Sequence, residues 1–306
     1  MTVITGRGRR APGAGVRRQD NRLAYLMLAP LVILLGIFVI WPLIYAGYLS
    51  FFNWSFYQAS EFVGWRNFSN VLTDRQFVES ILRGLRFALM VVPSILVIAF
   101  LFASLVKTMG RRAATLLKVS IYIPTVISGV IASIIFVLIY DYSGGIANWV
   151  VGWFGIEAQA WIGDVRLALP AIAVPAIWMG LGISALIMLA GLLDIPESYY
   201  EAAELEGANW FQRTWYITLP LMKNIFLYLL IAGFTLAIQQ FELPLIMTDG
   251  GPLDSTLLPN LFIFNHFRDD LFVGYSIAAA LLLFLVLGSI SALIFKALNS
   301  EKAVDG

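Results

Sequence analysis

Few side chains in this 306-residue chain are equipped for chemistry, and most of those few interrupt long apolar runs. Gln239, Gln240 and Glu242 stand together near the end of one run. Thr125 and Ser128, Trp178 and Ser184, and Tyr275 and Ser276 fall in three others. Amides, hydroxyls and a carboxylate are hydrogen-bond partners for a polyol, and an aromatic face suits the C–H side of a sugar ring. An acidic residue near the centre of a membrane span costs about 2.5–3.5 kcal/mol, so this group should face a bundle interior or a wet cavity. Helical spacing would set Gln239 and Glu242 on one face. Ser and Thr within spans also commonly bond their own backbone or a neighbouring helix, which is the plainer reading of each of them taken singly.

Other chemistry is excluded or unsupported. The chain has no cysteine, which rules out disulfides, Cys-ligated zinc, iron–sulfur clusters and a thiol nucleophile. Its one histidine, His266, reads as an outer-loop surface residue, because no second histidine or acidic pair supports a metal. No Gly-x-x-x-x-Gly-Lys-Ser/Thr occurs, so the phosphate cradle built on that pattern is missing. The expectation is a chain with no catalytic residue, cofactor or metal of its own. A net charge of +1 gives no reason to expect nucleic acid.

The elements that position these groups are apolar helices. Sixty per cent of residues are hydrophobic and 13% charged, where a soluble domain carries about 25% charged, so lipid must cover much of the surface. Six segments approach the roughly 20 residues needed to cross a bilayer. They are 23–52, 77–106, 116–140, 167–191, 225–247 and 271–295. Each is too long and too uniformly apolar for a barrel strand of about 10 alternating residues. The fold class is therefore an all-α membrane protein of six transmembrane helices, spanning 23–298. Residues 1–22, with six arginines among Gly, Ala and Pro, read as a disordered basic tail, and 299–306 as a second tail. Lys and Arg concentrate in cytoplasmic segments. With both termini inside, fourteen basic residues lie inside and six outside. Localisation is then the cytoplasmic membrane, with multiple passes.

Between the fourth and fifth spans lies a polar interruption, 191–224. Pro196 suits a helix start, and 198–206 contains good helix formers and no breaker. Gly207 offers a left-handed cap, and Asn209 with Gln212 forms a capping-box pattern for a second short helix. The stretch reads Glu201-Ala202-Ala203, three residues, Gly207, nine residues, then Ile217-Thr218-Leu219-Pro220. This resembles the cytoplasmic loop of the inner-membrane permeases of binding-protein-dependent ABC importers. The resemblance runs from the first span to Phe295. It implies that the first loop helix is a coupling helix, docking in a cleft of an ATPase subunit. Glu201, Ala202, Ala203, Gly207, Ile217, Leu219 and Pro220 are then the docking and coupling residues.

Two further stretches resemble the carbohydrate-uptake branch. Phe62-Val63-Gly64-Trp65-Arg66-Asn67-Phe68 follows the first span, and Met247-Thr248-Asp249-Gly250-Gly251-Pro252 with Thr256 follows the fifth. Gly274-Tyr275-Ser276-Ile277-Ala278 matches the family's start of the sixth span. One segment departs: Phe264-Asn265-His266-Phe267 stands where the family commonly has Tyr and Ala. By their chemistry and place in the spans, Trp178, Ser184, Gln239, Gln240, Glu242, Tyr275 and Ser276 are the candidate lining of a substrate path. The partners implied by the resemblance are a second homologous permease making a heterodimer, two ATPase subunits carrying ATP and Mg, an extracytoplasmic substrate-binding protein and a sugar-like solute. The alternative is a secondary transporter or channel acting without an ATPase. Such proteins tend to carry buried ionisable pairs, broken helices or internal repeats, and the sequence displays one intramembrane acid and no clear repeat.

Overall fold

The computed structural model describes residues 14–55, 59–270 and 273–298. Helix α1 (Ala14–Leu35) passes through a π-helical stretch (Gly36–Ile40) into α2 (Trp41–Leu49). A two-residue antiparallel ribbon follows, β1 (Phe52–Asn53) with β2 (Glu61–Phe62). Then come α3 (Arg66–Thr73), α4 (Arg75–Lys107), α5 (Arg111–Val126), α6 (Gly129–Ile139), α7 (Ile146–Gly152) and α8 (Ala168–Asp194). The loop carries α9 (Glu197–Leu205), α10 (Trp210–Arg213), a second π-helical stretch (Thr214–Thr218) and α11 (Leu219–Leu221). The chain ends in α12 (Lys223–Ile238), α13 (Glu242–Met247), α14 (Pro259–Asp269) and α15 (Gly274–Leu298).

Five continuous stretches are long and apolar enough to span, and a sixth exists if the bent pair α5–α6 is one span. That pair divides the expected third span, 116–140, into two helices. α5 ends at Val126, Ser128 caps α6 through Ile131 N, and the axes differ by 98°. Pro124 sits in the last turn of α5, where its ring removes a backbone donor and weakens the helix. The fifth span is also interrupted. α12 stops at Ile238 and α13 begins at Glu242, so Gln239 and Glu242 do not share a helical face as expected. Backbone groups freed at membrane depth must find partners within the protein. Here side-chain amides provide them: Asn260 Nδ2 donates to Gln239 O (2.8 Å), and Gln240 Oε1 accepts from Phe241 N (3.1 Å).

The N-terminal expectation also changes. Helix α1 starts at Ala14, inside the stretch expected to be a disordered tail, while residues 1–13 and 299–306 lie outside the described residues.

α8 is the central post, packed on α4 and α5. Small residues allow the close approach: a Cβ on Gly182 would meet Ile121 O at 2.8 Å and Tyr122 Cα at 3.0 Å. Thr125 Oγ1 donates to Met179 O (3.1 Å) across the same crossing. One buried cluster, with Phe87, Ile172 and Ile238, joins α4, α8 and α12. A second, with Met188, Leu192 and Met222, fills the end nearest the loop. A third, with Phe77, Leu261, Phe262 and Ala278, fills the far end. The first span differs from the rest. None of its most apolar stretch is buried, against 22–33% for the other continuous spans.

Candidate functional site

The loop is a protruding knob closed by local caps. α9 closes with two reverse bonds, Gly207 N to Glu204 O (3.0 Å) and Ala208 N to Ala203 O (2.9 Å). Gly207 has φ +78°, the left-handed region where glycine has no steric penalty, and a Cβ there would meet nothing within 4 Å. Asn209 and Gln212 form the reciprocal capping box that starts α10. Glu201 and Ala202 are exposed, and Ala203 is half-buried. Ile217 and Leu219 are half-buried and turned toward the body, and Pro220 is exposed at the start of the climb into α12.

The membrane-depth groups do not form one site. Gln240 and Ser184 share a cavity of about 370 Å³ between α4, α8 and α12, otherwise lined by apolar residues such as Val92, Ile183 and Tyr228. Glu242, which is exposed rather than interior-facing as expected, closes the same break as the first residue of α13 and reaches across to the break between α5 and α6. Its carboxylate rests against Gly129 at the start of α6, close enough that a Cβ on Gly129 would overlap it. That places a negative group at the positive end of a helix dipole. The two broken spans therefore meet, with α13 packed on α6. Gln239 is exposed and holds Asn260 through its carbonyl. Trp178 packs on Phe136, with ring centroids 5.8 Å apart. Ser276 is buried in a third place, a recess of about 410 Å³ with Phe241, Asn260 and Phe264.

Tyr275 sits apart from all of these. Its hydroxyl donates to Asp74 Oδ2 (2.5 Å), while Asp74 Oδ1 caps α4 through Gln76 N (2.7 Å). It latches α15 to the start of α4. His266 lies beside it, bonded to Asp270 (2.9 Å). Among the described residues no three His, Cys, Asp or Glu side chains are grouped to hold a metal. The glycine turn after α13 is pinned by Thr256, whose hydroxyl meets Gly251 O (2.8 Å) and Thr248 Oγ1 (2.7 Å).

Residues 68–303 match the family model described as binding-protein-dependent transport system inner membrane component. The chain belongs to this family. This inner-membrane permease is 32% identical over 284 residues to the sulfoquinovosyl glycerol transport system permease protein SmoG of Agrobacterium fabrum, covering 92% of each chain. It is 30% identical over 265 residues to the trehalose/maltose transport system permease protein MalF of Thermococcus litoralis, covering 86% of this chain and 90% of that one. Its fold matches a chain of a bacterial ABC transporter involved in alginate import, with a TM-score of 0.76 and 20% identity, covering 93% of this chain and 97% of that one.

Three features of the permease escaped the sequence reading. Leu205 (90% exposed) and Tyr199 join Ala202 on the open side of α9, giving the knob an apolar contact surface. The helix period from Ala202 could have revealed them. Gly129 opposite Glu242 carried no local signal, because the contact depends on two breaks meeting in space.

Proposed function

We propose that this permease is half of a translocation path for a sugar or related polyol, driven by two ATPase subunits that grip α9 from the cytoplasm. The carrying observation is α9 itself. It is a capped, nine-residue helix exposed on most of its surface, fixed between two spans of a transport-family chain. Glu201 would meet a basic group of the ATPase, and Ala202 would permit close approach. ATP and Mg would be held by those partner subunits. The uncovered first span fits a second, homologous permease as well as lipid, since both offer it an apolar cover.

The solute class rests on the relatives' names and on the polar groups at the two helix breaks. Gln240 and Ser184 offer amide and hydroxyl partners to a polyol, and Glu242 accepts from hydroxyls. A second structural neighbour is an alginate importer in complex with an alginate pentasaccharide-bound periplasmic protein. This supports delivery by an extracytoplasmic binding protein here too.

The chain lacks cysteine, so one introduced thiol reports orientation cleanly. Ser198→Cys should react with a membrane-impermeant maleimide in inside-out vesicles and stay unlabelled in intact cells. Labelling from outside would place α9 beyond the reach of any cytoplasmic ATPase and end this reading. Uptake by the reconstituted complex, measured over a panel of neutral and acidic sugars, identifies the solute.

A further inference from the structure

We propose that Lys107, the last residue of α4, is a positioning residue that links the knob to the transmembrane body through Tyr200. This rests on the reading of α9 as the element that receives force. Of the nine residues of α9, only Tyr200 and Ala203 are not exposed, and the helix packs broadly against no other described helix. Beyond the packing of the Tyr200 ring on the second buried cluster, its attachment depends on a few directed contacts. Lys107 Nζ stands 4.3 Å from the centroid of the Tyr200 ring and 3.6 Å from Glu197 in the first turn of α9. The phenol of Tyr200 reaches the Thr218 hydroxyl at 3.0 Å. Thr218 is 5% exposed and ends the π-helical stretch before α11 and α12. Tyr200 is thus held between α4 on its ring face and the approach to α12 on its hydroxyl.

A further tie, Glu204 to Arg213 at 3.4 Å, stays within the knob. Lys107 is itself largely covered, at 23% side-chain exposure, which shields its ring contact from water and salt. A cation over an aromatic face is stronger when desolvated. A push on α9 therefore reaches α4 through Lys107 and α12 through Thr218, two of the three helices that wall the cavity holding Gln240.

The test uses the full transporter in proteoliposomes, with uptake and ATP hydrolysis measured together. Lys107→Met keeps the stem and removes the charge. It should lower solute moved per ATP at least fivefold while the ATPase still copurifies. Lys107→Arg should restore the ratio to within twofold of the parent, because guanidinium also stacks on rings. Tyr200→Leu should cause a comparable loss, and the double variant should be no worse than Tyr200→Leu alone. An unchanged ratio in Lys107→Met, failure of the Arg variant to rescue, or multiplying losses in the double variant would each overturn the link. Tyr200→Leu probes the contact from the other side, so a folding failure of either single variant leaves a valid test. Ala202→Trp, on the open side of α9, addresses the parent reading separately: it should release the ATPase, and retention there refutes docking on α9 whatever Lys107 does.

Discussion

Gly207 permits two explanations that a short substitution series separates. One is conformational: φ +78° excludes ordinary L-residues, and the two reverse bonds that close α9 need that geometry. The other is steric: an ATPase could press where a side chain would project. Within the permease the site is open, with nothing within 4 Å of a built Cβ. Gly207→Ala therefore costs only the left-handed backbone, about 1–2 kcal/mol, or roughly a 5–30-fold fall in the correctly closed loop. Asn tolerates this region far better than Ala despite being larger. The conformational account orders uptake in proteoliposomes as Gly, then Asn, then Ala, then Val. The steric account places Asn below Ala. Uptake lower in Gly207→Asn than in Gly207→Ala would refute the backbone argument and put a partner surface against the turn.

Other outcomes follow from the same contacts. Gly129→Ala should displace the carboxylate of the exposed Glu242 from the start of α6, costing about 0.3–1 kcal/mol of dipole interaction and lowering uptake by up to about fivefold, with Glu242→Ala masking the effect in the double variant. Additive losses would show that the two residues act separately. Gly182→Val forces a side chain into the α5 backbone, so a loss of about 1–3 kcal/mol should appear as a lower Tm in detergent with normal membrane targeting. Thr256→Val strands the Gly251 carbonyl, while Thr248 keeps its bond to Pro244 O, at a cost of about 1–3 kcal/mol, and limited proteolysis of the 248–256 turn should quicken, with Thr256→Ser restoring resistance.

Much of this was legible because the membrane simplifies the code. A run of apolar residues long enough to cross has few alternatives to a helix. The loop was legible for a different reason: Gly207 and the Asn209–Gln212 pair are local devices whose geometry depends on nearby backbone alone. The breaks at 127–128 and 239–241 were not legible. Hydropathy averages across a window, and the apolar runs on either side of each break outweigh the few polar residues within it. Pro124 was the available sign at the first break, and the paired Gln239 and Gln240 at the second. Tyr275 illustrates what spacing hides: its type and place near the start of a span were legible, but not that its hydroxyl donates to Asp74, 201 positions away, and so joins α15 to the start of α4.

The two breaks account for where polarity is concentrated in the bundle. Unbroken apolar helices satisfy their own backbones and leave nothing for a solute to bind. A path through lipid needs backbone and side-chain groups that are released from helical duty but still not orphaned. At the fifth span that condition is met by Gln240 folding back on Phe241 N and by Asn260 reaching Gln239 O. At the third span Ser128 caps α6 and Glu242 crosses over from the other break. Each break thus borrows a partner from outside its own helix, and a displacement of α12 must disturb the α6 contact through α13. Force entering at α9 would reach the polar groups by that route, with no need for residues of the path to touch the knob.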